Sequence, residues 1–68
     1  MIYTDDHPPA HAHVFRAEGE VIINLGDEEI KPEIRENKSM RNKDMRDALR
    51  IVAENQLLLL IEWRRIHA

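Results

Sequence analysis

The chain has 68 residues, 43% of them apolar and 34% charged, with a net charge of −3 and no cysteine. Without thiols, neither a disulfide framework nor a thiolate metal site can staple so short a chain, and the apolar share argues against a disordered tail. The longest apolar run, Leu57 to Ile61, is far too short to span a bilayer, and no basic patch followed by an apolar stretch opens the chain. A single soluble cytoplasmic domain over residues 1–68 is the expectation, with a sheet part in 1–36 and a helix in 41–67.

In chain order, Ile2-Tyr3-Thr4 is β-prone and Asp5-Asp6-His7-Pro8-Pro9 breaks it, since two prolines fix φ and remove two donors. His11 to Ala17 alternates, with His11, His13 and Phe15 on one side and Ala12, Val14 and Arg16 on the other. Glu18-Gly19 reads as a two-residue hairpin loop in which glycine supplies φ > 0. Glu20 to Leu25 is the return strand, with Val21, Ile23 and Leu25 on one face. Gly26-Asp27-Glu28-Glu29 is a polar turn, Glu33-Ile34-Arg35 a short edge strand, and Asn37-Lys38-Ser39 a loop.

From Asn42 to Ile66 there is neither Gly nor Pro. At 100° per residue, Met45, Ala48, Leu49, Val52, Gln56, Leu59, Leu60, Trp63 and Ile66 form one apolar stripe along about 37 Å of helix. Asn42 is a candidate cap, with Asp44 and Asp47 near the positive end of the dipole and Arg64, Arg65 and His67 at the negative end. The expected fold is α+β: a small antiparallel sheet of two to four strands followed by one long C-terminal helix.

That helix is longer than its sheet. A six-residue strand runs about 20 Å, so a hairpin covers roughly half of the helix. Leu57, Leu58 and Ile61 fall opposite the main stripe and make the turn apolar nearly all round. Either residues 26–36 or the N-terminal segment wrap over them, or they form the interface of a homodimer or of a small partner protein. The second is preferred, because contiguous exposed apolar surface marks interfaces.

Three histidines, His7, His11 and His13, stand within seven residues beside Asp5 and Asp6. His11 and His13 project from one strand face, and a third imidazole brought round by the Pro-Pro turn, with Asp6 nearby, could meet a divalent metal such as zinc. Three histidines and a water would be an open, catalytic type of site. The blander reading is that these imidazoles bond turn carbonyls or lie half-buried at the sheet edge. The helical HExxH spacing is absent, only two histidines alternate where a histidine-triad hydrolase needs three, and Ser39 has no neighbouring histidine. The two glycines, Gly19 and Gly26, build no phosphate-cradling loop.

Charge is uneven. Residues 1–40 hold four cations against nine carboxylates, and residues 41–68 hold six against four. Lys43, Arg46 and Arg50 would share a helix face that could approach a phosphate backbone. Acidic residues alternate among them, though, and nucleic-acid modules carry a clear basic excess.

Asp6-His7-Pro8-Pro9-Ala10-His11-Ala12-His13-Val14 resembles the bacterial family Domain of Unknown Function 4160. Its pattern is an acidic residue, a His, a Pro-Pro pair and then His-x-His entering a strand. Glu33 to Asn37, Ala48 to Val52 and Glu62 to His67 are further matching stretches. Here Ala10 separates the prolines from His11, and of the relatives' initial strand only Ile2-Tyr3-Thr4 remains. The resemblance implies no established activity; it implies a two-gene cassette beside Domain of Unknown Function 2442, similar to toxin–antitoxin pairs. The leading expectation is therefore an interaction module acting through Leu57, Leu58 and Ile61 rather than an enzyme. Its competitors are a metal-dependent hydrolase or nuclease built on His7, His11, His13 and Asp6, and a nucleic-acid binder using Lys43, Arg46 and Arg50.

Overall fold

A computed structural model describes residues 2–4 and 9–67 of the chain. β-branched residues and alternation in the first half produce four strands, β1 (Ile2–Thr4), β2 (His11–Arg16), β3 (Gly19–Asn24) and β4 (Glu33–Lys38). They form one antiparallel sheet in sequence order. Two helices follow, α1 (Asn42–Glu54) and α2 (Gln56–His67). The α+β class is as the sequence predicts. No helix among the described residues is long and apolar enough to cross a membrane.

One sheet face and α1 make the core. Val21, Ile23 and Leu25 of the β3 segment and Val52 of α1 are fully buried, joined by Ala12, Val14, Met40, Ala48 and Leu60. β4 runs six residues to Lys38, longer than the three-residue edge strand read from the sequence. It carries an irregularity: Ile22 pairs with Glu36 while Ile23 pairs with Ile34, so Arg35 is the extra residue. This bulge turns Ile34 and Asn37 to the core face and Glu36 and Lys38 to the other.

The hairpin loop is Ala17-Glu18, one residue earlier than expected, because Arg16 pairs with Gly19. Ala17 takes a φ of 52°, the sign a primed hairpin turn asks of its first central residue. Gly19 has a different purpose from the one inferred. It is a buried strand residue, and a Cβ there would lie 2.6 Å from Met40 Cα and 2.8 Å from Ser39 O. The chain after β4 can close over β3 only because that position is bare.

The helix begins differently too. Arg41 occupies the N-cap position without a side-chain bond, and Asn42 is already helical. Asn37 organises this entry instead: its Oδ1 accepts from Met40 N at 2.9 Å and its Nδ2 donates to Met40 O at 3.0 Å. Asp44, in the first turn, pairs with Arg16 at 3.3 Å.

The single long helix of the sequence reading is two helices. Asn55, at φ −114° and ψ 16°, interrupts the α-helical run. Its backbone N–H is shared between Ile51 O (3.1 Å) and Val52 O (3.2 Å), and its Nδ2 donates to Ile51 O at 2.8 Å. Asparagine bonding back onto its own helix competes with the regular ladder, and a bend results. Just past it, Gln56 Nε2 donates to three carbonyls of the loop after β3: Leu25 O (2.7 Å), Asp27 O (3.0 Å) and Ile30 O (3.0 Å). Leu60 then reaches the core and Trp63 is buried, whereas Ile66, placed on the same stripe by the wheel, is 59% exposed.

Gly19→Ala should lower stability by about 2 kcal/mol, because the obstructing atoms are backbone and cannot swing aside. Thermal unfolding followed by circular dichroism will show a midpoint roughly 8–16 °C lower, given about 4–8 °C per kcal/mol for a domain of this size.

Candidate functional site

The pleat sends His11 and His13 to the sheet face opposite Ala12 and Val14. His11 is buried, and its Nδ1 donates to Pro9 O at 2.8 Å. His13 Nδ1 lies 2.6 Å from Glu20 Oε2, with the two side chains only 12% and 18% exposed. The two imidazole centroids are 5.3 Å apart, and the His11 ring sits 5.5 Å from the Trp63 indole. Phe15 stacks on the other side of His13 at 6.5 Å and 16°.

This arrangement fixes tautomers. A carbonyl behind one ring and a carboxylate behind the other both accept from Nδ1–H, so each neutral imidazole carries its lone pair on Nε2. An acceptor behind the ring also orients it, as in metal-ligating histidines. Among the described residues, however, no group of three or more His, Asp or Glu side chains is placed to hold a metal ion. His7 and Asp6 lie outside the described residues. The structure thus brings together two of the four residues that the sequence nominated.

It also adds two that the sequence reading missed. Glu20 pairs with Phe15 across the hairpin and stands diagonal to His13 on the same face. Placing the loop one residue late moved Glu20 opposite Ala17 and hid this contact; the strand register was the signal. Trp63 was read as core stripe alone. Past Asn55, Leu60 packs with the core of one sheet face while Trp63 meets His11, which belongs to the other.

The second nominated surface is α2's outer side. Leu57, Leu58 and Ile61 are 63%, 59% and 49% exposed. Gln56, Leu60 and Trp63 take the inner side, so these three contiguous side chains point away from the sheet. The loop after β3 packs elsewhere: it walls a cleft of about 690 Å³ against α1, beside Arg46, Leu49 and Ala53.

The basic face of α1 is largely offset. Arg50 pairs with Asp47 (3.8 Å) and Glu54 (3.3 Å), and Arg46 shares its cleft with Asp27, Glu28 and Glu29. A phosphate backbone would meet these carboxylates along with the cations.

The model of the family described as Domain of unknown function (DUF4160) matches residues 1–64. The chain belongs to that family. No curated protein and no solved structure matches it. Membership of DUF4160 therefore brings no activity with it. In this member, His11-Ala12-His13 lies on β2 with Glu20 and Trp63 around it.

Glu20→Ala should cost about 2 kcal/mol in urea unfolding, because it leaves a mostly buried imidazole N–H without its carboxylate. Lys38→Ala removes a half-exposed ammonium 3.8 Å from Glu20 and 3.6 Å from Glu36 and should cost less than about 1 kcal/mol.

Proposed function

We propose that this protein is a small interaction module that docks on another protein surface through the outer side of α2. One observation carries the reading: Leu57, Leu58 and Ile61 form a contiguous apolar patch, each about half or more exposed. Covering a leucine stabilises by roughly 1.5–3 kcal/mol, a large amount for a domain whose own core is built from about nine buried residues. The inner side of α2 is committed to the sheet, so the patch is supported by fixed backbone. The occupant fitted first is a second copy of the chain. A role as one component of a toxin–antitoxin-like pair is a finer form of the same reading, in which the occupant is a different small protein.

Light scattering or sedimentation will find the wild type heavier than its 8.0 kDa monomer mass. Leu58→Glu, with unchanged helical circular dichroism, will be monomeric. A wild type that stays monomeric at hundreds of micromolar overturns self-association.

A metal-dependent hydrolase or nuclease is the second reading, favoured by the Nδ1 bonds that orient the His11 and His13 rings side by side on one sheet face. His7 and Asp6 would complete the donor set. Calorimetric titration of Zn²⁺ should then give micromolar binding that His11→Ala abolishes; heat indistinguishable from dilution rejects it.

A further inference from the structure

Resting on the docking reading above, we propose that the occupant is a second copy of this chain, with the two α2 helices packed antiparallel about a two-fold axis midway between Leu59 and Leu60. Spacing and charge argue for it together. Glu54, Leu58, Ile61 and Arg65 follow one another at intervals of four, three and four, the seam spacing of two packed helices. All four are exposed. Asn55 does not throw Glu54 off this seam. Its φ and ψ add to nearly the α-helical sum, and Asn55 O still accepts from Leu59 N at 2.9 Å, so the bend tilts the axis while nearly keeping the phase.

An isologous pairing sets each residue against its mirror position on the other helix. About the chosen axis Leu58 meets Ile61 of the second copy, and Ile61 meets its Leu58. Four apolar side chains then form the centre. Glu54 meets Arg65 of the second copy, and the same pair recurs at the other end, so each end of the seam closes on opposite charges. A parallel pairing would set Glu54 on Glu54 and Arg65 on Arg65, like charge on like charge. Both residues are available for exchange: among the described residues, Glu54 is held by Arg50 at 3.3 Å and Arg65 by Glu62 at 2.6 Å. Both are neighbour pairs on a solvated helix surface. Leu57 lies beside the seam and widens its apolar centre.

Charge exchange tests this register. Glu54→Arg alone sets Arg on Arg at both ends, and Arg65→Glu alone sets Glu on Glu. Each should raise the dimer dissociation constant about tenfold, measured by sedimentation equilibrium with circular dichroism confirming folding. The double variant Glu54→Arg/Arg65→Glu restores opposite charges at both ends and should return to within about threefold of wild type. A dimer broken by Leu58→Glu but indifferent to both single exchanges, or not restored by the double exchange, overturns the antiparallel register and leaves the docking face standing. A wild type that never dimerises overturns both.

Discussion

The side-chain amide of Gln56 holds the helical half of the molecule to the end of its sheet. Its –NH₂ group, with two hydrogens, lies 2.7–3.0 Å from three carbonyls of the loop after β3, those of Leu25, Asp27 and Ile30, so one N–H is shared between two of them. Asp27 O and Ile30 O also accept from each other's backbone N–H groups, at 3.3 and 3.0 Å, so Leu25 O is the carbonyl that depends most on the amide. The loop arrives there already shaped: Gly26 adopts a φ of 70°, where a Cβ would strike Ile30 O, and Asp27 Oδ1 accepts from the N–H groups of Glu29 and Ile30. Asn55 provides the bend immediately before Gln56, so a kink and an anchor stand side by side. α2 takes its position from this joint together with Leu60 in the core and Trp63 on His11.

Two surfaces follow from it. With Gln56 pinned inward, Leu60 and Trp63 come inward one and two turns later, and Leu57, Leu58 and Ile61 must come outward. Trp63 closes on His11, whose Nδ1 is tied to Pro9 O, and so the histidine face acquires an aromatic wall that belongs to the helix. The same rotation of α2 that buries a tryptophan beside the imidazoles presents three apolar side chains to solvent. The candidate ligand site and the candidate interface are opposite sides of one helix.

Much of this was legible in the residues. Period-two alternation gave the faces of β2 and β3, and the seam of Ala48, Val52, Leu60 and Trp63 followed from a 100° wheel, as did the outward position of Leu57, Leu58 and Ile61. The joints were not legible. Glu18-Gly19 looked like a turn because glycine favours positive φ, yet the glycine was needed where Met40 crosses β3, a contact between segments far apart in sequence. Asn55 looked like one more polar helix residue, since propensity alone costs asparagine only a few tenths of a kcal/mol. Its effect appears only once Gln56 has a loop to grasp. Glu20 was visible as a charge but not as a partner of His13, because a loop shifted by one residue moves every cross-strand pair.

The size of the chain bears on why an exposed apolar patch would be kept. A domain this small buries only about 60% of the surface its unfolded chain exposes, so its margin of stability is narrow. No disulfide supplements it. Polar residues at 57, 58 and 61 would cost the sheet nothing, since none of these side chains belongs to the core. They would also make the isolated domain more soluble. Leucine and isoleucine there make sense if α2 is half of a larger packing unit, one in which the helix is covered on both sides and the bend at Asn55 is held by contacts from two directions. In that arrangement the second layer of the fold is completed by association, and the short sheet no longer has to shield a helix that it is too narrow to surround.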